Sequence, residues 1–144
     1  MLIGEYKHTL DDKKRVAIPI RFRKELGKKV VVTHGLDHCL WTYTLIEWKK
    51  VAEKLSGLSF GQADTRGFNR FMLSGAIEID VDSLGRILIP DFLKDYAKLK
   101  ERVVITGVHS RVEIWDDEGW QIYKKKIAEQ ADVLAEKLGE IGVI

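Results

Sequence analysis

The 144-residue sequence predicts an α+β fold built from two copies of one unit. Two kinds of observation carry that prediction. Asp11-Asp12-Lys13-Lys14-Arg15-Val16-Ala17-Ile18-Pro19 aligns with Asp82-Ser83-Leu84-Gly85-Arg86-Ile87-Leu88-Ile89-Pro90 at an offset of 71, and Gly4 meets Gly75 at the same offset. Short apolar runs of strand length, Val30–Thr33 and Val103–Thr106, follow at matching distances, each after a proline suited to open a helix. The rare residues fall into the same scheme: Pro19 with Pro90, Trp41 with Trp115 and Trp48 with Trp120. Two unrelated hairpins that happened to share a turn would not align both prolines and all four tryptophans.

The elements of each copy follow in order. Each copy begins with a strand, marked in the second by alternation at Ile77, Ile79 and Val81. The Asp-x-x-x-Arg segment turns the chain into a short apolar strand, Val16–Ile18 or Ile87–Ile89. Proline then opens a short helix, Ile20–Leu26 or Asp91–Ala97, and Gly27 is placed to stop the first of these in a left-handed conformation. A hairpin comes next, Val30–Thr33 with Leu40–Tyr43 around Gly35-Leu36-Asp37, repeated by Val103–Thr106 with Val112–Trp115. Each copy ends in a helix, Glu47–Leu55 or Glu118 to about Leu138, with Ser56–Thr65 as linker and a further helix expected over Arg66–Leu73. In the last helix Trp120, Tyr123, Ile127, Ala131, Leu134, Leu138 and Ile141 form an apolar stripe, expected to pack on the chain's own core in preference to a coiled-coil seam, with a subunit contact as the alternative. The resulting organisation is a first repeat over 5–48, a second over 76–120 and a C-terminal helix over 121–144.

Hydrophobic residues make up 45% of the chain and charged residues 32%, enough to bury a core and too ordered a composition for a disordered segment. No apolar run reaches the roughly 18 residues of a membrane span, and Met1–His8 has no signal-peptide pattern, so a chain starting at Met1 and no membrane are expected. A single cysteine, Cys39, forbids an intrachain disulfide and suits a reducing, cytoplasmic setting. The net charge of +2 hides a polarised distribution. Residues 1–72 carry 14 bases and 8 acids, residues 73–144 carry 10 and 14, and Lys13 to Lys24 holds six bases and no acid.

Phosphate-binding, dinucleotide, zinc-protease and serine-hydrolase motifs are all absent, so no enzyme, cofactor or small-molecule substrate is expected. Asp11-Asp12 and Asp116-Asp117 suit turns and caps better than paired acid–base chemistry. His34, His38 and Cys39 have the chemistry of zinc ligands, but the second copy matches them only with His109, and no metal is expected. Arg15 and Arg86 stand out because each follows a tight turn at the same point of the repeat. A guanidinium fork fits a phosphate or the O6/N7 edge of guanine, and Lys13 and Lys14 add phosphate attraction. An Arg–Asp surface pair across the turn is the alternative, worth about 0–1 kcal/mol.

These motifs resemble the MraZ family, a bacterial family of two tandem SpoVT-AbrB domains, nearly end to end. Arg66, Arg70, Phe71 and Gly75-Ala76 resemble the stretch before the family's second motif, and Glu113-Ile114-Trp115 with Trp120 its second-copy ending. The resemblance implies a double-split β-barrel in which the two repeats interlock, with peripheral helices and both arginine turns on one face. It also implies a DNA-binding transcriptional regulator, cytoplasmic and nucleoid-associated, assembling into homo-oligomeric rings. Members act at repeated boxes upstream of the division and cell-wall gene cluster, their own gene included. On this basis double-stranded DNA is the expected partner, with Arg15, Arg86, Lys13 and Lys14 as contacts. An AbrB-type antitoxin-like module and a structural ring protein are the alternatives. The family's first motif usually reads Asp-x-Lys-Gly-Arg, whereas Lys14 stands at the glycine position here. A positive φ there would cost lysine on the order of 1 kcal/mol, so the first turn is expected to differ in shape.

Overall fold

In a computed structural model describing residues 1–144, the chain opens with β1 (Leu2–Thr9), the Asp11 turn and β2 (Arg15–Ala17). Helix α1 (Ile20–Leu26), the hairpin β3 (Lys29–His34) and β4 (Leu40–Thr44), and helix α2 (Leu45–Ser56) complete the first copy. Helix α3 (Ala63–Asn69) and a π-helical turn at Arg70–Ser74 lead into the second, so the linker between α2 and α3 is shorter than expected. There follow β5 (Ile77–Asp80), β6 (Arg86–Leu88), α4 (Asp91–Tyr96), β7 (Arg102–His109), β8 (Val112–Asp116) and α5 (Asp117–Glu140).

The strands are exchanged between the copies. The six-stranded antiparallel sheet runs β1-β7-β8-β4-β3-β5, so the first strand of each copy pairs with the hairpin of the other. Strands β2 and β6 pair with each other as a two-stranded antiparallel ribbon, and Val16 of β2 also bridges Leu10 just after β1. The inner face of the sheet (Val30, Val32, Leu40, Val103, Ile105, Ile114) and the inner residues of the ribbon (Val16, Ile87) meet in one core of 19 buried residues. Phe22 of α1 and Leu93 of α4, at equivalent places in the repeat, fill that core, both essentially without exposure. Pro19 and Pro90 precede these helices as expected, and Gly27 ends α1 at φ 80° while its N–H returns to the Arg23 carbonyl.

Strand register corrects one part of the sequence alignment. Val30 faces Thr44 and Val103 faces Asp116, which makes Thr44 and Asp116 equivalent. Both are helix N-caps, accepting from the N–H of Glu47 and of Gly119. Trp115 is therefore the counterpart of Tyr43, and Trp41 the counterpart of Glu113, directly across β4–β8. The aromatic pairs agree: Tyr43 lies 5.6 Å from Trp48, and Trp115 5.2 Å from Trp120. Only Trp48 and Trp120 remain an equivalent tryptophan pair; an apolar-aromatic pattern slides by two residues along a strand without changing face.

A second correction concerns α5. Its first turns pack on β7 and β8 through Trp120 and Tyr123, but every residue from Ala128 to Ile144 is exposed. The apolar stripe of Leu134, Leu138 and Ile141 has no partner on the chain's own core. Periodicity reports that a helix has an apolar face, not which surface covers it.

Candidate functional site

The two turns are built bond for bond alike. Asp11 Oδ1 accepts from the backbone N–H of Lys13 (2.9 Å) and of Arg15 (2.8 Å), while Oδ2 accepts from Arg15 Nε at 2.8 Å. Asp82 does the same for Leu84 and Arg86, with an Arg86 Nε bond of 2.8 Å. The backbone closes each turn, Lys14 to Asp11 at 3.0 Å and Gly85 to Asp82 at 2.9 Å. Backbone donation from Arg15 and Arg86, followed by their guanidinium bonds, holds both carboxyls below the usual carboxylate range.

The fourth residue of each turn is left-handed, Lys14 at φ 62° and Gly85 at φ 77°. The expected difference in shape is thus absent: the lysine adopts the glycine's conformation. Its ammonium is ion-paired with Asp91. Gly85 is under a second constraint. A Cβ there would stand 2.3 Å from Arg23 Nε, because the Arg23 guanidinium crosses from the first copy over this turn and donates to the Ile18 carbonyl at 2.8 Å. The copies are further tied by Ile18 N–H to Gly85 O and Ile89 N–H to Lys14 O, both 2.8 Å.

Ribbon register decides where the arginines stand. Arg15 faces Leu88, and Arg86 faces Ala17, so these four share the ribbon face opposite to the buried Val16 and Ile87. Arg15 and Arg86 are diagonal neighbours, with roughly 7–8 Å between such positions. Each side chain is 30% exposed, with Nε bound to its aspartate and no hydrogen bond on either terminal nitrogen. The register brings Arg15 and Arg86 to one face, Lys13 is exposed at the tip of the first turn, and Lys14 is tied to Asp91. Sequence reasoning missed the lock of Arg23 on Gly85 and the exposed Leu84 and Leu88 beside the arginines. The matching of Lys13 with Leu84, and of Ala17 with Leu88, was the available signal.

The histidine–cysteine group is packing. His34 stacks on Phe71 at 4.5 Å and meets the edge of Tyr96, with Nδ1 3.0 Å from the Phe71 carbonyl. Cys39 lies in the loop just before β4 and donates its thiol to the Leu36 carbonyl, held protonated by burial and by the nearby Glu113 carboxylate. No helix is long and apolar enough to cross a membrane.

Residues 1–71 and 72–138 each match a family model described as "MraZ protein, putative antitoxin-like". Relatives named "Transcriptional regulator MraZ" include that of Caldanaerobacter subterraneus subsp. tengcongensis, 48% identical over 143 residues, covering 99% of this chain and 100% of the relative. The protein of the same name from Moorella thermoacetica is also 48% identical with the same coverage, and that of Oenococcus oeni is 49% identical over 96% of both chains. A solution structure of PHS018 from Pyrococcus horikoshii aligns over 79% of this chain and 88% of that one at 14% identity and TM-score 0.32, too low to bear on the fold. The relatives are named as regulators, not as enzymes. Matched twice in tandem by the family model and almost end to end by these relatives, the chain belongs to the MraZ family of transcriptional regulators.

Proposed function

We propose that this regulator acts by sequence-specific binding of double-stranded DNA through the outer face of the β2–β6 ribbon. The observation that carries the reading is the pair of identical turns, each clamping one edge of an arginine and leaving its terminal nitrogens unbonded on a shared face. A surface ion pair alone would not need two matched turns brought side by side by strand exchange. The aspartates aim the guanidinium forks, and an aimed fork reads a guanine edge or a phosphate. Lys13 and Lys14 belong to the phosphate contacts, Lys14 after exchanging Asp91 for the backbone.

The finer reading follows the family. The exchanged strands and the ribbon form a double-split barrel of two interlocked SpoVT-AbrB repeats over 5–48 and 76–120. Subunits assemble into a ring in the cytoplasm, at the nucleoid, and bind repeated boxes upstream of the division and cell-wall genes, including the chain's own. Arg15→Ala and Arg86→Ala are expected each to weaken binding of DNA from upstream of the chain's own gene by about 10- to 100-fold, the worth of one bidentate contact. A gel-shift titration with circular dichroism as a folding control tests this. Unchanged affinity in a folded double variant overturns the site.

A further inference from the structure

The C-terminal arm of α5 and the α2–α3 surface stand out as unexplained surfaces. From Ala128 onward every residue of the arm is exposed, yet Ala131, Leu134, Leu138 and Ile141 recur at steps of three and four on one face. The helical part from Ala128 to Glu140 spans about 20 Å. Its charges are one-sided: residues 128–144 carry four acids and the single base Lys137.

The second surface lies on the first copy. α3 is tied to α2 by Asn69 Nδ2 donating to the Leu55 carbonyl, and to the intervening loop by Arg66 donating to the Phe60 carbonyl. Phe60 is 84% exposed, the most exposed large hydrophobic side chain of the molecule, and Leu58 and Phe68 are exposed with it. Residues 45–74 carry five bases and three acids. An apolar patch in a basic setting therefore matches an apolar arm in an acidic one.

Both surfaces are exposed in the isolated subunit, so neither covers the other within one chain. Complementary surfaces that one chain leaves uncovered join one copy to the next, head to tail, which is the heterologous contact that closes a ring.

We infer that the α5 arm of one subunit docks, through Leu134 and Leu138, on the Phe60 surface of α2–α3 in the next copy of this chain. The inference rests on the ring assembly proposed above and names its contact. The test measures the mass of the full-length chain and of Leu138→Glu and Phe60→Glu by light scattering, with circular dichroism confirming the fold; both side chains are exposed in the subunit. Wild type is expected as a multi-subunit species and each variant as a single chain of 16.5 kDa. Mixing the two variants is expected to give a species of twice that mass and no larger, since one intact arm meets one intact patch and the chain of contacts then ends. Variants that keep the wild-type mass overturn the contact and leave the ring standing. Single-chain variants whose mixture stays at 16.5 kDa overturn the arm-to-patch pairing, and a wild type that is itself a single chain overturns contact and ring together.

Discussion

Lys14 and Gly85 hold the same left-handed place in the two turns, at φ 62° and 77°, but their surroundings differ. For Lys14 the only conflict is backbone strain, about 1 kcal/mol, partly offset by the exposed pair with Asp91. Lys14→Gly is therefore expected to change stability by less than about 1 kcal/mol. Gly85→Ala adds to the strain a clash with Arg23 and the loss of its bond to Ile18, and is expected to cost about 2–3 kcal/mol. Urea denaturation of both variants checks the contrast. The aspartates give the turns a pH dependence. Their folded pKa lies below the ordinary value, so the stability they add is complete above that value and is lost as pH falls through the folded one. The gap in melting temperature between wild type and the Asp11→Asn/Asp82→Asn variant is expected to be constant above about pH 5 and to narrow below about pH 4. Melting curves across a pH series from 3 to 7 follow it.

At the level of elements, each copy lacks partners for its own strands. β1 pairs with β7, β5 with β3, and β2 with β6, so no copy closes its own sheet. A fragment of residues 1–74 would leave β1 and β2 without their partners and expose the β3 edge. The fragment alone is expected to be unfolded or to dimerise by repeating the exchange with a second copy of itself. Size-exclusion chromatography with amide hydrogen exchange tests this; a well-protected monomeric fragment would contradict it.

Across the whole molecule, one subunit offers a single small face with two aimed arginines, and each bidentate contact discriminates by about 1–3 kcal/mol. The proposed ring would present several such faces, and after a first box is bound the next event would be intramolecular, with gains on the order of 10² to 10⁴ where spacing allows. Rotation around the ring relates neighbouring faces, so the boxes are expected as direct repeats in phase with the helical turn of about 10 base pairs. Duplexes with one, two or three boxes, and a series lengthened by about half a turn, measure this. Affinity indifferent to number and phase would separate the regulator's binding from its assembly.

What the sequence by itself determined is what short-range chemistry controls. An aspartate four residues before an arginine closes the same turn in both copies, prolines open α1 and α4, and Asp116 caps α5, because each of these features spans only a few residues. The repeat and the arginine pair were readable for the same reason. Tertiary structure alone decided the partners. Alternation does not specify whose edge a strand joins, so the β1–β7 and β5–β3 exchange was not readable from residue pattern, nor was the two-residue slide that paired Trp115 with Tyr43. The reach of Arg23 across to Gly85 joins residues 62 positions apart in the chain, and the bare arm of α5 reflects a surface the subunit does not supply. Both depend on how separate elements are placed in space, which local propensity and periodicity do not encode.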